Sequence, residues 1–522
     1  MTALPERIPG FLNLSNEILL AVFTLCRSTE RKHQNDTISS LRLTCKRFCL
    51  LYSDYAVRRC STLDFSCPES VKLFSQVLEN PRIAEGVHEV NVRLHFYHPW
   101  IAASLDNFAA AVLSEWGQRT QMFDAIDTNL GGQVTFESLM QRFINELHMH
   151  NDASVEPSTS RNTASPTDFA DSILQHAYRK YKESHDLQKL CHGGGAFELV
   201  VAQILTRLPN IRHVMLHDGV LTNNYDLGRK FDPVGGQDIS AQAEILIEVL
   251  SRPMLWEEAR WVQPNEFIWP GVPTRLLVDI PLALGAVESL LIDQLSIHVS
   301  AAPDYTIMQL SRDDCDKLSD AIKRLDLMQF SFQPRCRSGC GPWIRNEDEN
   351  DTARTATEME VINEYLGAIF NAGCISHADI NLGEFWYSLG LKSIFAAPTS
   401  VGIGFAWPLG TSLRSIHLTE ISVTTTELGT LAAALDVDVG SEISLFLVHI
   451  RVGSWRDALQ ILRDGLRDPQ SVSIRHPLGG EVQDLPHDQI ESAFGSRHTE
   501  EGTKAECYVM GRMVENPLSE AG

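Results

Sequence analysis

The chain has 522 residues, room for three to four domain equivalents at about 150 residues each. Hydrophobic residues make up 43% and charged residues 21%, a balance that excludes global disorder. The 67 acids against 44 bases leave a formal net charge of −23. That charge opposes binding to nucleic-acid phosphates and to anionic membrane surfaces, and no cluster of Lys and Arg reverses it locally.

The most apolar stretch, Leu276 to Val287, is interrupted by Asp279 and Pro281 and falls short of the ~20 residues that span a bilayer. The first nine residues hold an early acid and two prolines, unlike a signal peptide. The 11 cysteines have no repeating spacing and read as reduced, mostly buried thiols. The expectation is an intracellular protein, cytoplasmic and/or nuclear.

In chain order, the first helix opens at Ser15, whose side chain can accept from the unpaired amides of a first turn. Ile18, Leu19, Val22, Phe23 and Cys26 then share one helical face, with Glu17 placed to favour the positive end of the helix dipole. A polar stretch from Arg27 to Asp36 breaks the pattern. Thr37 can cap a second helix carrying Ile38, Leu41, Cys45, Phe48 and Tyr52 on one stripe. Two short helices with such broad apolar faces need the rest of the chain or a partner to cover them.

Downstream, an apolar-x-x-apolar-x-apolar pattern recurs at Val87-Val90-Val92, Ile211-Val214-Leu216, Val287-Leu290-Ile292, Ile322-Leu325-Leu327, Leu413-Ile416-Leu418 and Ile443-Phe446-Val448, with a looser copy at Ile375-Ala378-Ile380. The alternation suits short strands with one buried face. Helical patterns precede several copies, as at Glu198 to Thr206 and Glu427 to Leu435. One helix and one strand per unit predicts a solenoid of leucine-rich-repeat logic, with parallel strands and helical insertions. The spacing is irregular, from 30 to 124 residues between starts, so some gaps hold insertions or undetected units. Asn151 to Asp168, rich in Ser, Thr, Pro and Asn, reads as a flexible linker bounded at 151–170, and Asn346 to Thr357 as an exposed acidic loop. In the mixed tail 500–522 only Tyr508-Val509-Met510 looks strand-like.

Constellations that could carry chemistry are incomplete. His192-Gly193-Gly194-Gly195 resembles an oxyanion loop, but the nearest nucleophile candidate, Gly410-Thr411-Ser412-Leu413-Arg414, lacks the closing Gly of G-x-S-x-G. The glycines read instead as a pliable lead into a helix near Phe197. Asp127 to Val134 matches the first half of an EF-hand loop, but Ser138 stands where the bidentate carboxylate belongs. Cys336 and Cys340 have no second Cys/His pair nearby to complete a zinc shell. His213 and His217 lie in or beside a strand, where four residues span about 13 Å, too far for one metal. His95 with His98, and His148 with His150, lack a third ligand, and all six histidines read as surface or partly buried. No enzymatic activity, no metal and no cofactor is expected.

The run Leu14-Ser15-Asn16-Glu17-Ile18-Leu19-Leu20-Ala21-Val22-Phe23 resembles the opening of the F-box, L-P-x-E-I-L-x-x-I-F, with Ser15 in place of Pro. Ile38-Ser39-Ser40-Leu41-Arg42-Leu43-Thr44-Cys45-Lys46-Arg47-Phe48 resembles its second helix, L-x-x-L-R-x-V-C-K-R-F, with Thr44 for Val and a connector longer than usual. Both halves in order, ahead of irregular leucine-rich units, resemble the F-box proteins with degenerate repeats common in filamentous fungi. The resemblance implies an F-box over 8–58, first repeat units with a helical insertion over 59–150, and an irregular repeat region over 171–499. It also implies a substrate-recognition adaptor of a cullin–RING (SCF-type) ubiquitin ligase. Docking on the Skp-type linker would then fall to Leu14, Ser15, Ile18, Leu19, Val22, Phe23, Leu41, Cys45 and Phe48, with the repeats holding a protein substrate. The alternative is a non-catalytic scaffold with an inert F-box-like hairpin.

Overall fold

The structure is a computed structural model that describes residues 60–64, 68–113, 166–192, 195, 197–219, 239–261, 272–334, 355–382, 412–435, 440–466, 469–495 and 502–519. It is an α/β fold. The strands are β1 Cys60–Leu63, β2 Glu89–Arg93, β3 His213–His217, β4 Gln294–His298, β5 Gln329–Phe332, β6 His377–Asn381, β7 Ser415–Thr419, β8 Ser422–Thr424, β9 Glu442–Phe446, β10 His449–Val452, β11 Ser471–Arg475 and β12 Leu478–Gly479. Nine of them form one sheet in the order β1-β2-β3-β4-β5-β6-β7-β9-β11, every pair parallel. Because the spatial order follows the chain order, every crossover advances in the same direction. Crossovers of one hand then place the connecting helices on one face of the sheet, which is the construction of an α/β solenoid.

The helices are α1 Pro68–Glu79, α2 Pro81–Gly86, α3 Pro99–Ala103, α4 Pro166–His192, α5 Phe197–Leu205, α6 Ile239–Leu250, α7 Leu276–Gly285, α8 Arg312–Leu325, α9 Ala356–Asn371, α10 Thr425–Ala434, α11 Trp455–Gly465, α12 His487–Phe494 and α13 Lys504–Val509. Helices α5, α7, α8 and α9 pack side by side in that order, and α10, α11 and α13 continue the same arrangement. Four of them start with a reciprocal box in which a Ser or Thr and an acid three residues on cap each other's amides: Ser311 with Asp314, Thr355 with Glu358, Thr424 with Glu427 and Thr503 with Glu506. Gly285 lets α7 approach α8, since a Cβ there would collide with Ala321.

The core lies between sheet and helices. Val90, Val214, Leu295, Phe330, Ala378, Ile416, Ile443 and Val472 form one in-register buried row, and Val92, Leu216, Ile297, Phe332, Ile380, Leu418, Leu445 and Ile474 form the next. Each of these side chains other than Ala378 contributes about 1.5–3 kcal/mol when removed from water. Towards the C-terminal end the units become regular. Strands β7, β9 and β11 start 27 and 29 residues apart, and each is followed by one residue of positive φ, Glu420, Leu447 or His476. That corner turns the chain out of the main sheet into β8, β10 and β12, which pair in parallel as a second, three-stranded sheet.

A bracket holds the long insertions onto the C-terminal ends of β2 and β3. Phe96 and Met254 exchange backbone hydrogen bonds, and the Trp256 indole donates to the Leu94 carbonyl at 2.7 Å. The Asp218 carboxylate accepts from the amides of Trp256 (2.9 Å) and Ser300 (3.0 Å) and from the Ser300 hydroxyl. Burial pushes its pKa above the usual carboxylate range. Arg252 forks onto the fully buried Glu258 with contacts of 2.8 and 3.0 Å.

His98 anchors α4 and caps α3. Its backbone amide donates to Tyr181 Oη at 2.7 Å, and its Nδ1 accepts from the Trp100 amide at 3.1 Å. Complete burial lowers its pKa from 6.5 to about 4, with His185 adding to the effect. The unfolded chain therefore takes up this proton first. Stability from this group is full above pH 6.5 and is lost as pH falls towards 4, by about 3 kcal/mol in all. Urea midpoints measured from pH 7 to pH 4 should fall more steeply for wild type than for His98→Asn, which keeps a capping oxygen but does not titrate. Parallel slopes would contradict the assignment.

Several sequence expectations need correction. Val90-Val92, Val214-Leu216, Ala378-Ile380 and Ile416-Leu418 are inward strand positions, as read. Leu290 and Ile292 instead precede β4, whose inward residues are Leu295 and Ile297. Ile322 and Leu325 belong to α8, Leu327 follows it, and β5 begins at Gln329. In β9 the buried pair is Ile443 and Leu445, while Phe446 is 37% exposed. Leu290, Ile292, Ile322, Leu325 and Leu327 are buried all the same, because the chain is already inside the core as it turns from helix to strand. Helix α4 begins at Pro166, inside the stretch read as linker, and Thr355 caps α9 inside the stretch read as loop. Tyr508 and Val509 end the helix α13 and are not a strand. The EF-hand-like run, Cys336, Cys340, His148 and His150 lie outside the described residues.

Candidate recognition face

Residues that alternate with the two buried rows populate the opposite face of the main sheet. Register sets them in three rows that are polar apart from Met215 and Phe446. The first runs Glu89, His213, Gln294, Gln329, His377, Ser415, Glu442 and Ser471. The second runs Asn91, Met215, Ser296, Ser331, Asp379, His417, Ser444 and Ser473, and the third includes Arg93, His217, His298, Asn381, Thr419, Phe446 and Arg475. Nine strands about 4.8 Å apart make a face roughly 38 Å long.

Side chains link one strand to the next across this face. Arg93 and His95 both meet Asp64 at 3.3 Å. His213 has Nδ1 3.6 Å from Glu89 Oε2 and Nε2 3.0 Å from Ser296 Oγ. His298 Nε2 lies 3.3 Å from Ser331 Oγ, Gln333 donates to Asp379, and Ser415 donates to Glu442 at 3.4 Å. His217 Nδ1 faces the Gly219 carbonyl at 2.8 Å, which places the proton on Nδ1. Burial lowers the His217 pKa, and the Gly219 hydrogen bond opposes that shift.

Glu89, His213 and Ser296 are the residue types of a hydrolytic relay, but the geometry assigns them another role. Ser296 is 2% exposed, and its strand is paired on both sides, so its backbone amides serve the ladder and not an oxyanion. The links fix side chains of the face in place, and Gln329, His377, His417, Ser471 and Arg475 are exposed on it, an arrangement suited to holding a polar surface. Among the described residues no group of three or more His, Cys, Asp or Glu could hold a metal ion, and no helix is long and apolar enough to cross a membrane.

The histidine expectations divide. His213 is half-buried on this face, but His95, His98 and His217 are buried, contrary to the reading of all as surface or partly buried. Met215, Ser296, Ser331, Asp379 and His417 carried no motif signal. The boxes at Ser311 and Thr424 each stand 20 residues ahead of an outward serine, Ser331 and Ser444, whereas α7, ahead of Ser296, has no side-chain cap. The nine residues assigned to linker docking, Leu14, Ser15, Ile18, Leu19, Val22, Phe23, Leu41, Cys45 and Phe48, lie outside the described residues. No protein-family model matches the chain, and no curated protein matches it.

Proposed function

We propose that the chain is a substrate-recognition adaptor of a cullin–RING ubiquitin ligase. Its N-terminal helices dock as an F-box on the Skp-type linker, and the polar face of the parallel sheet holds a protein substrate. The observation that carries this reading is the order of two features: both halves of an F-box-like pattern within Leu14 to Phe48, then an α/β sheet whose strands follow chain order. The 27- and 29-residue units, each a main-sheet strand, a short second strand and one capped helix, have the size of leucine-rich repeats, which supports reading the body as an irregular array of them. The polar rows supply the hydrogen-bonding surface such a receptor needs.

Affinity purification of the tagged full chain, followed by mass spectrometry, tests the assignment. The Skp-type linker and a cullin should be recovered together with a substrate. A preparation that holds other proteins but neither ligase component would leave a scaffold as the better account.

A further inference from the structure

The polar face of the main sheet differs in charge from the chain as a whole. Its acids are held by neighbours: Glu89 lies 3.6 Å from His213, Asp379 accepts from Gln333, and Glu442 accepts from Ser415 at 3.4 Å. All three acids are half-buried. Among the described residues of the three rows, the exposed ionisable side chains are His377, His417 and Arg475, and each is a base. His476, at the corner after β11, is exposed as well, while Glu420, at the matching corner after β7, is half-buried. A chain with 67 acids against 44 bases thus presents bases, and no fully exposed carboxylate, along these rows.

The bases gather around an aromatic ring at the C-terminal end of the face. Phe446 is 37% exposed and stands in register between Thr419 of β7 and Arg475 of β11. His476 meets its ring edge-on, with centroids 5.5 Å apart. His417 is diagonal to Phe446 across one strand and one row, about 8 Å between Cα atoms. Ser444 and Ser473 continue the row of His417, and their short side chains leave room against the ring. An apolar centre ringed by hydrogen-bonding groups is the composition of a protein-binding surface.

We propose that this patch holds an extended acidic segment of the protein substrate, with an apolar side chain against Phe446 and carboxylates on Arg475 and His417. The proposal rests on the reading of the polar face as the receptor surface and adds the class of substrate. Charge complementarity selects the occupant. A carboxylate meets exposed bases here, and a guanidinium can take it in a two-pronged hydrogen bond. A Lys or Arg would find only acids that already have donors. The net charge of the chain acts from farther away and is screened beyond about 8 Å in physiological salt, so the close contacts decide. Geometry sets the spacing. Arg475 lies two strands and one row from His417, about 12 Å between Cα atoms, which extended chain covers in about four residues. The two carboxylates therefore stand three or four positions apart, with the apolar residue between them.

The test is selection from a random octapeptide phage library on the purified full chain, followed by fluorescence anisotropy with the selected peptides. Asp and Glu should be enriched on either side of an apolar residue. Arg475→Glu and Phe446→Ser should each weaken binding about tenfold, the first because a repulsion replaces an attraction, the second because apolar contact is lost. Arg324→Glu makes the same change of charge on α8, in the helix layer, and should leave the affinity unchanged. Thermal unfolding of all three variants should match the wild type, because the substituted side chains are exposed. A selection that yields basic peptides, uncharged peptides or none would overturn the proposal. Wild-type affinity in Arg475→Glu or Phe446→Ser, or an equal loss in Arg324→Glu, would also overturn it. So would a single-stranded oligonucleotide that competes as strongly as the peptides, because any polyanion would then fill the patch. Binding of the Skp-type linker reports on the receptor reading separately and should be the same in Arg475→Glu as in the wild type.

Discussion

Leu327→Ala is expected to cost about 2–5 kcal/mol of unfolding free energy, the range for truncating a buried Leu where neighbours cannot collapse into the space. Leu327 is completely buried at the turn from α8 into β5, directly after Asp326, which ends α8 in a left-handed conformation. Its backbone amide closes the turn on the Ile322 carbonyl at 3.4 Å, so the loop has little freedom to move the side chain elsewhere. The effect should spread sideways. Strand β5 is paired to β4 and to β6, and α8 packs against both α7 and α9. Amide exchange should therefore accelerate around Ile292 and Ile380 as well as in β5, with β11 unaffected, since units of a linear array contact mainly their neighbours. A urea midpoint equal to that of the wild type would show that the strands do not share one core.

Asp218→Ala should be comparably severe, by a different route. The substitution leaves the amides of Trp256 and Ser300 buried without acceptors, each costing about 1–3 kcal/mol. Burial already disfavours the Asp218 charge, so its value lies in the three donors it satisfies and not in any ion pair. The damage should concentrate in the bracket: faster exchange at Met254 and Trp256, then loosening of Leu94, which the Trp256 indole holds. Uniform destabilisation with no local change at Trp256 would contradict this role.

How far the fold could be read in advance follows from where apolar residues sit. In β2, β3, β6 and β7 a lone apolar residue leads into two inward strand positions, so the alternating pattern falls on the strand itself. Before β4 and β5 the chain enters the core early, at Leu290, Ile292, Leu325 and Leu327, and the same pattern appears several residues too soon. Strands β8, β10 and β12 are two to four residues long and depend on the positive-φ corners at Glu420, Leu447 and His476, which no glycine marks. The polar face was illegible for a stronger reason. His213 and Ser296 lie 83 positions apart, and only the register of β3 with β4 brings them to 3.0 Å. Of the helices that begin with a Ser/Thr-x-x-acid box, only the one near Glu427 is expected from the sequence, whereas Thr355 falls in the stretch read as a loop and Thr503 in the tail read as mixed. A box signals a helix only when an apolar period is recognised behind it.

The central proposal, docking on the Skp-type linker through the F-box-like N-terminal segment, is tested most directly by measuring the affinity of the purified full chain for that linker, beside its Ile18→Asp variant. An unpaired carboxylate in an apolar interface is strongly unfavourable. The account predicts saturable binding by the wild type and loss of detectable binding by Ile18→Asp, with the thermal unfolding of the α/β body unchanged. Equal affinity of the two proteins, or no binding by the wild type, would contradict it.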